Sequence, residues 1–421
     1  MGVESAQASG VLRIQTTPVV NSLIAGLGRT EDLRFSPSGR QVAIAGYLRN
    51  QITVLSIDIR TAVDGGKLIV IDRGVVISSP ALNRVHGLDF LDEDTIIAAN
   101  RRGGVPVFRI PGLVSDVPTC EVQPIRELAA DGVAGLDGPG SVVVSRHTGS
   151  CDVLICNNFS NTVTRHRLDT NAGYCPISSQ VLLRKWFDIP DGISLSRDQE
   201  WIAVSQAACG WVGVYPNSSS LNPESDPSAI LRQVFYPHGL KFSRCGRFLL
   251  VADAGAPNVQ VFQRPELGWY GVLHPVATWE VMDKSLFERG HVFVDEGGCK
   301  GLDLHPESAI LALTCEFQTL RFIDVSATLA NLLRATPAGV RDYVSFVSDH
   351  APASPVTARF DRDRADRDRA AAEVAYELHL LSNARAAVQA GIDNISSTRS
   401  WRITAPLRKL NRLLNGIKTA R

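Results

Sequence analysis

A six-bladed β-propeller carrying a C-terminal α-helical extension is the fold class this sequence predicts, and three observations predict it. A pattern of three short apolar strands separated by turns recurs six times along residues 10–345. The copies are evenly stepped, which is the mark of radial repetition into four-stranded blades. After residue 346 the composition changes to a charged, helix-forming run.

The clearest copy begins at Pro237-His238-Gly239-Leu240-Lys241-Phe242, turns at Ser243 to Gly246, runs apolar from Phe248 to Ala252 and closes with Asn258 to Phe262. The same order recurs from Asp32, from His86-Gly87, from Asp191-Gly192 and from Lys300-Gly301. Apolar anchors fall at Leu33, Leu88, Ile193, Leu240 and Leu302. The step from Leu88 to Ile193 is twice the usual one, and a degenerate copy fills it with Ser141–Val144, Val153–Cys156 and Thr162–Thr164. Each sheet needs its neighbours to bury both faces, so the copies form one domain.

The fourth strand of each copy is the weakest in sequence, with Leu68–Ile71 and Val181–Leu183 as examples. Val11–Ile14 is expected beside the last copy, where it would remove an exposed sheet edge.

The segments "FSPSGRQVAIA" and "FSRCGRFLLVADAGAPNVQVF", with the P-x-G lead-ins at Pro190 and Pro237, resemble the YVTN/lactonase, NHL-type and gluconolactonase-like propellers. The resemblance covers most of residues 30–325 and implies the fold; these repeats carry enzymes and interaction modules alike.

Residues 346–359 read as a linker, with His350-Ala351-Pro352-Ala353-Ser354-Pro355 at its centre. Residues 360–397 read as a coiled-coil helix whose seam is Ala371, Val374, Leu378, Leu381, Arg385, Val388, Ile392 and Ile395, which suggests a homo-oligomer. A single helix packed back on the propeller fits the same pattern.

Residues 398–421 form a basic amphipathic tail. Leu407, Leu410 and Leu414 lie on its apolar face, with Trp401, Arg402 and Arg408 beside it, a pattern that suits a membrane interface or a groove on a partner. Its words Ser400-Trp401-Arg402-Ile403-Thr404-Ala405-Pro406-Leu407-Arg408 resemble the S-W-R-x-T-x-P-L-R motif of bacterial surface-polysaccharide glycosyltransferases and methyltransferases. That implies a role in polysaccharide assembly, with its enzymes or a glycan as partner.

Lys+Arg and Asp+Glu are both 43, so no global basic field argues for nucleic acid. The first residues lack a secretory signal and no stretch is apolar enough to span a bilayer, so a cytoplasmic protein is expected, peripheral at the inner membrane face if the tail docks there. The eight cysteines form no C-x-x-C pair and are assigned no role.

The residue preceding each repeat's glycine should face the central channel, placing Glu31, His86, Asp191, His238 and Lys300 on one ring, although the first copy has Asp32 in place of the glycine; in the third copy either Asp137 or Pro139 fits. Loops between second and third strands add Asn100, Arg101, Asn157, Asn158, Gln206, Asp253 and Glu316 as ligand-binding candidates. Glu31, Asp191 and His238 are candidates for a divalent metal such as calcium or zinc. The gluconolactonase-like resemblance implies a Glu, an Asn and an Asp at comparable positions; here Asp191 stands for the Asn and His238 for the Asp.

Lys300 opposes a dication on the same ring. A metal-free alternative uses His86 or His238 as general base beside Asp191 or Glu31. Two functions follow: a propeller that binds a glycan or protein in polysaccharide assembly, or a lactonase-type hydrolase. Five tryptophans, Trp186, Trp201, Trp211, Trp269 and Trp279, are expected to pack between sheets, Trp211 being also placed to stack on a sugar.

Overall fold

A computed structural model describes residues 5–7, 10–128, 135–291 and 296–334. The linker, the coiled coil and the tail with Trp401, Arg402, Leu407, Arg408, Leu410 and Leu414 lie outside the described residues.

The fold is a β-propeller arrangement of mostly antiparallel sheets, four of which add one strand in parallel, but the described strands form seven sheets where six were expected. Six of the sheets begin with a strand on the central channel: Thr30–Phe35, Val85–Phe90, Pro139–His147, Pro190–Leu195, Pro237–Phe242 and Cys299–Leu304. Each of these inner strands neighbours the next, and Cys299–Leu304 returns to Thr30–Phe35.

The seventh sheet explains the difference in count. It consists of Arg13–Thr16, Asp58–Thr61 and Lys67–Ile71. Leu68–Ile71 therefore does not supply the fourth strand of the first copy; Gly74–Ser78 does, pairing antiparallel with Gln51–Ser56. Val181–Leu183 does lie in a fourth strand, Cys175–Leu183. At the N-terminus Val11 bridges Ile323 of the last sheet, after which Arg13–Thr16 turns away to pair with Lys67–Ile71.

Apolar side chains fill the spaces between sheets. Trp201, Phe242 and Trp269 share one cluster with Leu240 and Val251, while Phe90 and Phe108 share another with Ile52 and Val54. Trp201, Trp211, Trp269 and Trp279 are buried. Trp186 differs: its indole N–H donates to Asp226 on an exposed loop at 2.7 Å.

Every inner strand breaks its ladder at the same place. The register shifts between Thr30 and Leu33, between Pro139 and Val142, between Pro190 and Ile193, between Pro237 and Leu240, and between Cys299 and Leu302; in the second sheet it shifts opposite, at Ala99/Asn100. Such a bulge re-aims a side chain, and here it turns Glu31, His86, Asp191, His238 and Lys300 into the channel. The glycine follows from crowding. A Cβ on Gly192 would lie 2.0 Å from the His238 carbonyl oxygen, and one on Gly239 would lie 2.4 Å from that of Lys300. With Gly87, whose Cβ would lie 2.5 Å from the Gly140 carbonyl oxygen, three of the inner strands rest on the ring position of the next.

Among the described residues no helix is long and apolar enough to cross a membrane.

Candidate functional site at the channel

The breaks in the six ladders bring Glu31, His86, Asp191, His238 and Lys300 together as a buried cluster. His238 Nε2 lies 3.0 Å from Asp191 Oδ2 and 3.4 Å from Glu31 Oε2. His86 Nε2 lies 3.7 Å from Asp191 Oδ1 and 4.0 Å from Glu31 Oε2. The two imidazoles are stacked, with centroids 5.3 Å apart and planes inclined by 22°. Lys300 Nζ reaches Glu31 Oε2 at 3.2 Å and Glu296 Oε2 at 2.6 Å.

The third inner strand contributes no ring side chain. Its register aligns Gly140, and neither Asp137 nor Pro139, with the ring residues: Pro139 pairs with Asn157 as Pro190 pairs with Gln206. Asn158 occupies the space left there, since a Cβ on Gly140 would meet its Oδ1 at 1.9 Å. Asn158 Nδ2 donates to Asp191 Oδ1 at 2.8 Å. Arg101 enters beside it, with Nη1 3.5 Å from Asp191 Oδ1 and 3.3 Å from His86 Nε2.

Two members had been missed. Arg29 donates from Nε to Glu31 Oε1 and from Nη2 to Glu296 at 3.2 Å, with Glu316 Oε2 at 3.8 Å. Arg29 stands two residues before Glu31, so strand alternation could have flagged it. Glu296 follows no repeat pattern, and nothing in the sequence marks it. Tyr47 borders the cluster, with Arg29 over its ring at 4.9 Å.

Four ligand-binding candidates do another job. Asn100 accepts from Asn83 N at 3.0 Å and donates to Ala81 O at 2.8 Å. Asn157 accepts from Asp137 N at 3.1 Å, and Gln206 from Asp188 N at 3.0 Å. Asp253 accepts from Phe235 N and Tyr236 N, both at 2.9 Å. Each ends a second strand and clamps the loop that leads into the neighbouring inner strand, so its polar atoms are directed to backbone. Arg101, Asn158, Lys300 and Glu316 are the loop and ring candidates that join the cluster.

Charge separates the two histidines. Burial pushes His86 down to about 4, and Arg101 adds to the effect against the pull of Asp191. Its Nδ1 lies 3.1 Å from the Gly140 carbonyl, which can only accept, so the neutral ring carries its proton on Nδ1 and presents a lone pair from Nε2. Burial would lower His238 as well, but Asp191 and Glu31 outweigh it and hold its pKa above the ordinary value.

Burial likewise works against ionised Glu31 and Asp191, yet Arg29 and Lys300 hold Glu31 well below the carboxylate range, and His238 and His86 do the same for Asp191. Glu296, opposed by burial but paired with Lys300, falls to about 2.

Glu31, His86 and His238 place ligand atoms within 4.8 Å of one another, close enough for one ion. The surrounding charge does not suit a dication: the Lys300 ammonium sits 3.2 Å from Glu31 Oε2, and the Arg101 guanidinium faces both His86 and Asp191. Asp191, named for the metal from sequence, falls outside that triad and pairs with His238.

No family model matches this chain, and no curated protein matches it. Among solved structures it is similar to a luciferin-regenerating enzyme at 11% identity and a TM-score of 0.47, covering 72% of this chain and 94% of that one. That distance leaves the site to be read from its own geometry.

Proposed function

We propose that the channel cluster is a metal-free acid–base centre, with His86 as base and His238 as acid, acting on a small polar ester or lactone. What supports it is a stacked histidine pair whose environments push their pKa values in opposite directions, the pattern that assigns acid and base roles elsewhere. His86 Nε2 would draw a proton from water, and His238 Nε2 would protonate the leaving oxygen; Glu31 and Asp191 keep His238 charged. Arg101 donates to the lone pair of His86 and must move aside. Its side chain is 12% exposed against 1% for Glu31, so an anionic group on the substrate could draw it away.

The test combines metal content with proton NMR of the histidines. The purified protein should hold no stoichiometric metal, His86 should stay neutral down to about 4, and His238 should titrate above its ordinary value of 6.5. Bound calcium or zinc with His238 unprotonated would replace this reading with the metal-assisted lactonase.

The finer fold reading is six blades, supported by the closed circuit of six inner strands, with the seventh sheet as an appendage built from Arg13–Thr16 and the insertion between Ser56 and Gly74. The family reading of a YVTN, NHL or gluconolactonase-like propeller rests on the repeat motifs.

A role in surface-polysaccharide assembly rests on the tail motif Ser400–Arg408. Removing residues 360–421 should then release the protein from membranes or from its partner enzymes; unchanged fractionation would refute docking by the tail.

A further inference from the structure

Two of the eight cysteines, assigned no role from the sequence, meet behind the channel. Cys299 and Cys315 are direct partners on the antiparallel strands Cys299–Leu304 and Ile310–Cys315. Both are buried, and the Cys315 thiol donates to Gln318 O at 3.1 Å. The Cys315 N–H donates to Gln318 O at 3.0 Å and not across the pair. In three other sheets the position of Cys299 holds Pro139, Pro190 or Pro237, which have no N–H to give. This is therefore a non-hydrogen-bonded cross-strand site, where Cα atoms lie about 4.5 Å apart. A disulfide spans about 4.4–6.8 Å between Cα atoms, so the bond needs little backbone movement.

We propose that Cys299 and Cys315 form a reversible cross-strand disulfide that adjusts the channel cluster. Cys299 precedes Lys300, which binds Glu31 and Glu296, and Cys315 precedes Glu316, which faces Arg29. A bond at this point draws together the two strand ends that aim those side chains.

Hydrogen peroxide is small enough to serve as oxidant at a buried pair. The Cys315 sulfur attacks one peroxide oxygen, the O–O bond breaks, and hydroxide leaves to give a sulfenic acid. The Cys299 sulfur then attacks the Cys315 sulfur, the S–S bond forms, and the hydroxyl departs as water with the thiol proton. In sum two thiols and one peroxide give one disulfide and two waters. Cys315 is assigned as the nucleophile because its neighbour Cys299 lowers its pKa while the Cys299 thiol itself is raised. Thiol reductants reverse the step. The crosslink does not depend on the acid–base reading of the channel.

The experiment treats the full chain with hydrogen peroxide, alkylates remaining thiols under denaturing conditions and maps the peptides. A peptide joining Cys299 to Cys315, lighter by two hydrogens and lost on reduction, is expected from wild type and absent from Cys299→Ala and Cys315→Ala. The His238 NMR titration should shift on oxidation and return on reduction. Both cysteines alkylating fully after peroxide would overturn the crosslink in wild type. If one variant does not fold, the wild-type map still decides. A crosslink that leaves the His238 titration unmoved would overturn its coupling to the channel.

Discussion

Glu31→Gln is expected to destabilise the protein by about 3–5 kcal/mol, the loss typical of breaking a buried ion pair by removing one partner. Glu31 is 1% exposed and takes contacts from Arg29, Lys300 and His238 together. The amide keeps the volume, so the loss is electrostatic: three buried donors lose the charge that offsets their desolvation. Glu296 and Glu316 remain near Arg29 and retain part of the attraction. Urea unfolding of wild type and variant measures the difference. A companion Lys300→Met should not recover it, because Lys300 keeps its 2.6 Å contact with Glu296 in the single variant and its removal would take that partner from a buried carboxylate. A loss under about 1 kcal/mol would mean that Glu31 is protonated in the folded state, contrary to its depressed pKa.

His86→Ala and His238→Ala should each lower kcat on a responsive ester or lactone by about 10²–10⁴-fold, the usual contribution of one proton-transfer group. Their pH signatures should differ. Activity in wild type needs neutral His86 and charged His238, so it should fall as pH drops through about 4 and fall again as pH rises through the raised pKa of His238. Replacing His238 should remove the alkaline limb, and replacing His86 the acid one. Equal rates from all three proteins would refute the acid–base centre.

Stability follows the same signs. His238, raised on folding, stabilises the native state fully below its unfolded value of 6.5, and that contribution is lost as pH rises through the folded pKa. His86, lowered on folding, stabilises above 6.5 and loses that contribution as pH falls towards about 4.

The repeat, its inner strands and the ring residues His86, Asp191, His238 and Lys300 were legible because a glycine is needed where a neighbouring strand crowds in, and the side chain before it enters the channel; Glu31, followed by Asp32, was legible from its place in the repeat. Gly140 was not legible, because the third copy shifts the motif so that the glycine itself takes the ring position. The clamp role of Asn100, Asn157, Gln206 and Asp253 was hidden because different side chains perform one task, accepting a loop N–H. Leu68–Ile71 misled because a strand in the inserted sheet and a strand in a blade carry the same apolar pattern. Glu296 could not be found at all, since its place beside Lys300 comes from a loop with no repeat.

The circuit of inner strands closes by seating Cys299–Leu304 against Thr30–Phe35, and the Lys300–Glu31 contact spans that join. The ion-pair part of the cluster, Arg29 and Glu31 with Glu296, Lys300 and Glu316, is thus divided between the first and last parts of the propeller to leave the ribosome. A nascent chain can assemble the intermediate sheets as they emerge, but Glu31 and Arg29 wait for a cation and carboxylates more than two hundred and sixty residues downstream. Contacts of such separation form late because the intervening loop must first be closed. The ion pairs of the cluster therefore close late in folding, and a chain that ends before Lys300 lacks a cation that holds Glu31.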